Sequence, residues 1–262
     1  MKSFIYLFGI VLLFSHCSPD KLETKGFQVS EITQDDAGNK MVGLPIDSLE
    51  LETRPRNVLK TFHAAQRLTP LYKVNYHPKT KKPFTGSNAF HTSWYNEYTA
   101  GNNWHNNFMP GLTALYGYNL VNIAHVNNIN QTENLLFKTP VLIKTLYYPA
   151  FSKDTLNYQP VKRNYYLVSV YDEDTNKDGF INFKDLRRFY LFNLEGEQIA
   201  PLVPPKTHSV MSSEYDSAND YMYVFARRDD NKNGQMEAEE PIDIFWIDLA
   251  NPENNGIHYR NN

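Results

Sequence analysis

From about residue 58 onward, the chain alternates short runs of aromatic and β-branched residues with clusters of proline, asparagine, aspartate and glycine. Aromatic and β-branched side chains suit a pleated, half-buried surface, whereas the intervening residues favour turns. No stretch shows the sustained apolar period of a long helix. The pattern therefore predicts an all-β fold, with candidate strands at residues 71–76, 114–126, 141–148, 165–171, 187–193, 210–215, 221–226 and 242–248.

Four stretches share one arrangement, in which a strand ends in a turn and the chain returns through a shorter apolar run. The outgoing strands begin at residues 71, 119, 189 and 244, and the returns lie at 82–84, 135–137, 199–202 and 256–258. Each unit resembles the outer hairpin of a β-propeller blade. This resemblance implies a propeller-like array of about four short-stranded blades. A β-sandwich built from the same strands is the alternative.

Two twelve-residue segments between predicted strands, 174–185 and 229–240, carry oxygen-bearing residues at alternate positions around a glycine at position 6. In the second segment this glycine is Gly234, which allows the sharp turn that the pattern needs. The residues that would supply oxygens, Gln235 through its backbone carbonyl, are Asp229, Asn231, Asn233, Gln235, Glu237 and Glu240. Such a set suits Ca²⁺, which takes about six to eight oxygen ligands, often with a bidentate carboxylate last.

The first segment follows the same pattern until its last position. Its oxygen-bearing residues, Phe180 through its backbone carbonyl, are Asp174, Asn176, Asp178, Phe180, Asn182 and Asp185. Asp185 stands where a glutamate is usual, and its shorter side chain reaches less easily for two-oxygen coordination. We therefore expect weaker calcium binding in this segment, or a site that tolerates magnesium.

Both segments resemble the calcium-binding loop of the EF-hand family, and the resemblance is confined to these two loops. It implies two calcium sites and no catalysis. The alternative is that both are ordinary turns, which asparagine, aspartate and glycine form without metal. The flanking residues 165–171 and 221–226 have strand rather than helix character. We therefore expect the metal to lock a connection between strands, not to reorient helices as in a sensor.

The N-terminus has the layout of an export signal. Lys2 precedes an apolar run at residues 4–14, and the single cysteine, Cys17, follows this run. Residues 13–17 resemble the lipobox of bacterial lipoproteins, whose cysteine becomes the acylated first residue of the mature chain. We expect a signal peptide at 1–17 with lipidated Cys17, a flexible tether at 18–56 and a calcium-binding β domain at 57–262. The protein would then lie in the cell envelope, attached to a bacterial membrane through its lipid; a buried thiol is the alternative role for Cys17.

The net charge of the chain and the motifs that it lacks exclude several classes of function. The net charge of -3 leaves no basic excess to neutralise phosphates, so we do not expect nucleic acid as a partner. The chain lacks the nucleophile, zinc and phosphate-binding motifs of common enzyme classes, so we do not expect an enzyme. One aromatic and amide-rich segment could instead bind a glycan or a protein through His91, Trp94, Glu97, Trp104 and His105. A loop packed over the core is the alternative for that segment.

Three functions are compatible with these features. The first is a calcium-stabilised binding or scaffold lipoprotein. The second is a calcium-dependent hydrolase or glycan-binding protein that uses the segment from His91 to His105, and the third is a calcium sensor. We expect the first, because no catalytic pair can be read from the chain and the loops lack flanking helices.

Overall fold

The computed structural model describes residues 26–85, 88–91, 109–117, 119–151 and 153–261. Regular structure in these ranges consists of β-strands, so the all-β prediction is confirmed. Within the described part of the chain, no helix is long and apolar enough to cross a membrane.

The strands are short, and they follow one another throughout the described ranges. The earlier strands are β1 (Phe27–Gln28), β2 (Ser30–Gln34), β3 (Lys40–Pro45), β4 (Thr53–Pro55), β5 (Leu59–Lys60), β6 (Gln66–Lys73), β7 (Asn75–Tyr76), β8 (Pro83–Phe84), β9 (Asn88–His91), β10 (Leu112–Gly117), β11 (Leu120–Asn127) and β12 (Thr132–Leu135). The later strands are β13 (Leu142–Pro149), β14 (Asp154–Leu156), β15 (Gln159–Val161), β16 (Tyr165–Tyr171), β17 (Phe180–Ile181), β18 (Arg188–Asn193), β19 (Gln198–Pro201), β20 (His208–Asp216), β21 (Tyr221–Arg228), β22 (Ile242–Asp248) and β23 (Asn255–Tyr259).

Most of these strands belong to three antiparallel sheets. Sheet I has the order β12-β11-β6-β4, with β5 also paired to β6. Sheet II has the order β19-β18-β16-β13-β10-β9, and sheet III has the order β20-β21-β22-β23. The remaining short strands form the pairs β1–β17, β2–β3, β7–β8 and β14–β15. Each of the three sheets is open, with an edge strand on either side.

Sheet II contributes side chains to two separate cores. One core joins it to sheet I and contains Ile123 of β11 and Val168 of β16. The other joins it to sheet III and contains Leu167 of β16 and Val224 of β21. Because consecutive residues of a strand point to opposite faces, the neighbours Leu167 and Val168 serve different cores. β16 is therefore buried at every position and is apolar at all of them except Ser169.

All four predicted strand-and-return units form hairpins. The returning strands pair as β8 with β7, β12 with β11, β19 with β18 and β23 with β22. In the turn between β18 and β19, the Asn193 side chain accepts the N–H of Glu197 at 2.8 Å. Local turn chemistry of this kind is readable from sequence because both partners lie within a few residues of each other.

Residues 27–55, for which the sequence predicted a flexible tether, carry four strands in the structure. β1 pairs with β17 and β4 pairs with β6, while β2 and β3 form a hairpin. Phe27 is buried in a third core with Tyr171 and Ile181, and Leu51 packs against that core. The apolar residues of this segment follow no sustained period and are mixed with polar and charged residues, which resembles the composition of a tether. Residues from Phe27 onward nevertheless form part of the folded body.

Candidate metal centre

The two acidic segments, here called loop 1 (174–185) and loop 2 (229–240), each connect neighbouring antiparallel strands. Loop 1 joins β16 to β18 and contains β17, and loop 2 joins β21 to β22. The predicted strand character of the flanking segments is confirmed. Each loop is therefore the long connection of a hairpin whose two strands are already paired.

Loop 2 is closed by hydrogen bonds from its own backbone to its side chains. The two carboxylate oxygens of Asp229 accept the N–H groups of Asn233 and Gly234, at 3.1 and 3.0 Å. Asn231 Oδ1 accepts the Asn233 N–H at 2.9 Å. Asn233 Oδ1 in turn accepts the Gln235 N–H at 2.8 Å. These bonds fix the side chains at positions 1, 3 and 5 relative to the backbone of the turn.

Loop 1 repeats this arrangement at the same positions. Asp174 accepts the N–H groups of Asp178 and Gly179, at 3.0 and 2.8 Å. Asn176 Oδ1 accepts the Asp178 N–H at 2.9 Å. Asp178 Oδ1 accepts the Phe180 N–H at 3.0 Å. The oxygen-bearing side chains of the two loops are therefore held in the same way.

The last residue of loop 2, Glu240, ties the start of the loop to its ninth position. Its carboxylate accepts the N–H groups of Asp230, at position 2, and of Glu237, at position 9, each at 3.1 Å. Both carboxylate oxygens take part, one in each bond. The two Glu240 oxygens, which are expected to bind a metal together, are thus held between positions 2 and 9 of the loop.

Asp185 makes the matching bonds in loop 1 despite its shorter side chain. Its carboxylate accepts the N–H groups of Thr175, at position 2, and Asn182, at position 9, each at 2.8 Å. It also accepts the N–H of Asn176 at 3.3 Å. The side chain is fully buried, with 0% relative exposure. Aspartate therefore makes the same two closing bonds in loop 1 that glutamate makes in loop 2.

Backbone conformation also recurs between the loops. Position 4 has a positive φ in both, 58° at Lys177 and 59° at Lys232. Position 6 is likewise positive, 85° at Gly179 and 73° at Gly234. Together with six hydrogen bonds at matching positions, these angles define one shared loop geometry.

Burial and mutual repulsion shift the titration of the acidic groups in loop 1. Burial raises the pKa of Asp185 to about 6, and the neighbouring Asp174 carboxylate adds to the rise. Burial also raises the pKa of Asp174, with a further contribution from Asp178. The backbone N–H groups counter these effects only in part. A cation bound among these carboxylates would favour their charged forms and lower the pKa values of Asp174 and Asp185.

The raised pKa of Asp185 predicts a pH dependence of stability in metal-free protein. The unfolded carboxyl titrates near 3.8, so between that value and about 6 the folded state binds the extra proton. Stability should therefore fall as pH rises through this window. Between pH 5 and pH 7 we expect Asp185 to account for a loss of about 1 kcal/mol. Denaturant unfolding in the presence of a chelator should show this loss of stability in the wild type and not in Asp185→Asn. The same pH dependence of stability in both proteins would contradict the assignment to Asp185.

The two loops touch each other through Thr175. Its hydroxyl donates to the Gly234 carbonyl oxygen at 2.6 Å and accepts the Leu186 N–H at 2.8 Å. Its backbone N–H binds Asp185, while the Gly234 N–H binds Asp229. A short chain of contacts therefore connects the last residue of loop 1 with the first residue of loop 2. Sequence reasoning missed Thr175, because its partner lies 59 residues away and no local pattern marks the contact.

A polar cluster that includes the buried Asp243 and His208 lies beside the first residue of loop 2. Asp243 accepts from Arg228 Nη1 at 3.0 Å, and His208 Nε2 lies 3.1 Å from the same carboxylate. The Thr207 carbonyl oxygen accepts the N–H of Asp229, the first residue of the loop, at 2.9 Å. From sequence, His208 gave no sign of this role, since its partners come from other strands. The cluster positions the start of loop 2 against the edge of sheet III.

The chemistry of both loops suits a hard cation. Each offers carboxylate oxygens, amide oxygens and one backbone carbonyl, and neither contains cysteine or histidine. This donor set favours calcium or magnesium over zinc or copper. Among the described residues, no three His, Cys, Asp or Glu side chains form a metal-binding group by themselves.

The remaining sequence-predicted residues lie at the margin of the structure or beyond it. His91 belongs to β9, the edge strand of sheet II. Trp94, Glu97, Trp104, His105 and Cys17 lie outside the described residues. Hydrogen bonds connect the residues within each metal loop, and the structure does not bear on the aromatic segment beyond His91 or on lipidation.

The chain matches no protein-family model and no curated protein. Its function must therefore be argued from the chemistry of the loops themselves.

Proposed function

We propose that the protein is a calcium-binding lipoprotein of the cell envelope that acts as a binding or scaffold module. The observation that supports calcium binding is the recurrence of six hydrogen bonds at matching positions in two loops of different sequence. Such loops satisfy the donor set that calcium requires. The residues that would hold the first ion are Asp174, Asn176, Asp178, Phe180, Asn182 and Asp185. Those for the second are Asp229, Asn231, Asn233, Gln235, Glu237 and Glu240.

The role proposed for calcium is mainly structural. Bound calcium supplies positive charge against the clustered carboxylates of each loop, whose burial is otherwise unfavourable. The strands on either side of each loop are paired with each other in sheet II or sheet III. Because a paired hairpin leaves little freedom for reorientation, the ion would rigidify the connection between these strands without moving the strands relative to each other.

We also propose that the three sheets form the layers of an open sandwich. The two cores that share sheet II support this arrangement, since side chains of three sheets pack face to face. A propeller-like array of about four blades is the alternative. It is supported by the four hairpin units and by sheet III, whose four strands follow in chain order as they do in a blade.

Calorimetric titration tests the two calcium sites. We expect the wild type to bind two calcium ions and Glu240→Gln to bind one, because the substitution removes the charged oxygen pair from the mouth of loop 2. Glu239→Gln is the matched control. It removes the same charge from an exposed neighbour at position 11, which is not a proposed ligand, and it should still bind two.

Two outcomes of this titration would overturn the proposal. The first is the absence of any binding heat for the wild type at millimolar calcium. The second is an unchanged stoichiometry in Glu240→Gln. Either result would mean that the loops are ordinary asparagine- and aspartate-rich turns.

The membrane anchor is proposed from the position of Cys17 directly after the apolar run. We expect the wild type to fractionate with bacterial membranes and Cys17→Ala to appear in the soluble fraction, because the acylated cysteine is the proposed anchor. Fractionation followed by immunoblotting measures this difference. Unchanged membrane retention of Cys17→Ala would contradict lipid anchoring through this residue.

A further inference from the structure

The N-terminal segment of the folded body, residues 26–51, is built directly onto loop 1. β1 pairs with β17, with Phe27 opposite Ile181 and Gln28 opposite Phe180. Phe180 and Ile181 occupy positions 7 and 8 of the loop. The pairing extends to position 6, because the Gly179 carbonyl oxygen accepts the N–H of Val29 at 2.9 Å. The segment therefore pairs with positions 6 to 8 of loop 1 as its partner strand.

Side chains reinforce this backbone pairing. Phe27 is 4% exposed and shares a core with Tyr171, which precedes loop 1, and with Ile181 of the loop itself. The β2–β3 hairpin lies over the loop, since Ile32 Cδ1 lies only 3.2 Å from the Cβ position at Gly179. The segment thus makes apolar contacts with positions 6 to 8 of loop 1, and its core also includes Val121 of β11 and Leu142 of β13.

The orientation of those positions depends on the acidic residues of the loop. Asp174 binds the Gly179 N–H and Asp178 binds the Phe180 N–H. Both carboxylates are proposed calcium ligands. Without a cation, their mutual repulsion favours a looser loop. Positions 6 to 8, which pair with β1, are therefore most firmly fixed when a metal ion holds the carboxylates together.

We infer that metal-bound loop 1 is the docking surface for residues 26–51 of the same chain, so that calcium at loop 1 controls whether this segment is attached to the body. This inference rests on the proposed calcium binding of loop 1. A released segment would lengthen the connection between Cys17 and the body by at most about 90 Å. Calcium would then set how far a lipid-anchored body extends from the membrane.

Hydrogen–deuterium exchange of the full-length protein tests the inference directly. In calcium, the Val29 and Ser30 amides should be protected, because both donate to the Gly179 carbonyl oxygen. Chelation should speed their exchange at least tenfold. Asp174→Asn should show fast exchange even in calcium, while Asp229→Asn, the same change in loop 2, should keep the protection.

Thermodynamic reciprocity gives a second test that leaves the proposed calcium ligands unchanged. If calcium favours docking, docking must favour calcium by the same factor. Phe27→Ala should therefore weaken calcium binding to one of the two sites at least several-fold in calorimetry. Leu44→Ala removes an apolar side chain of the same segment that is 75% exposed, and it should leave both affinities unchanged.

The outcomes separate this inference from the calcium proposal itself. If calcium binds at two sites but exchange at Val29 and Ser30 is the same with and without it, the docking inference is wrong and calcium binding stands. Equal calcium affinities in Phe27→Ala and the wild type would also overturn the inference alone. If no calcium binds, both proposals are wrong.

Discussion

Gly234→Ala is expected to lower the free energy of unfolding by about 3 kcal/mol or more and to abolish calcium binding at loop 2. A Cβ atom at this position would lie 2.1 Å from the carbonyl oxygen of Thr175 and 3.0 Å from the backbone nitrogen of Asn176. Both contacts are with backbone, which cannot rotate away. The positive φ of 73° adds strain for any residue with a Cβ. Denaturant unfolding and calorimetric titration measure the two effects.

The same substitution should also weaken calcium binding at loop 1. Thr175 holds Asp185 through its N–H, and Asn176 is a proposed ligand of the first ion, so a displaced Thr175 disturbs both. This effect distinguishes Gly234→Ala from a variant that damages loop 2 alone.

Gly38→Ala is the matched control for the backbone. Gly38 also has a positive φ, 81°, but nothing lies within 4 Å of its Cβ position. Its replacement should cost only about 1 kcal/mol, the usual penalty of the left-handed conformation, and should leave calcium binding unchanged. If both variants lost the same stability, contact between the loops would not be the reason that position 234 requires glycine.

Many of the longer strands and the four hairpins of this fold could be predicted from sequence because their signals are local, whereas the predicted strand 114–126 is two strands, β10 and β11, in different sheets. β16 is predicted with its observed limits, and the four returns are paired as expected. Which sheets pack against each other could not be predicted from sequence in the same way. A strand such as β18 has four consecutive aromatic or aliphatic residues, 189–192, and this run indicates burial on both faces without identifying the sheets that cover it. The partners of such a strand depend on contacts between distant parts of the chain.

The metal loops could be read from sequence for the same reason. All the proposed ligands of one ion fall within twelve residues, so their spacing carries the geometry. The contacts of the loops with the rest of the molecule could not be predicted from sequence. Thr175 meets Gly234 from another hairpin, and Phe27 meets Ile181 from a segment that has the composition of a tether. Two residues of β1 are too short a run to show any period.

Saturating calcium is expected to raise the free energy of unfolding by about 5 kcal/mol. Each site held at about a hundred times its dissociation constant contributes about 2.7 kcal/mol, because the ion binds the folded state in preference to the unfolded chain. For a protein of this size the melting temperature should rise by roughly 10–20 °C. The physical source is the relief of repulsion among the loop carboxylates, including the buried Asp185. Differential scanning calorimetry in calcium and in chelator, at constant ionic strength, measures the rise.

Paired charge-removing variants show whether this stabilisation comes from the loops. Asp174→Asn with Asp229→Asn removes the first carboxylate of each loop, and calcium should then add little stability. Asp35→Asn with Asp216→Asn removes two carboxylates from ordinary turns, where they accept the N–H groups of nearby residues, and should respond to calcium like the wild type. Equal stabilisation of both double variants would mean that calcium acts elsewhere on the protein. A response confined to the wild type and the turn variant would trace the stabilisation to the two loops, because the charge removed is the same in both.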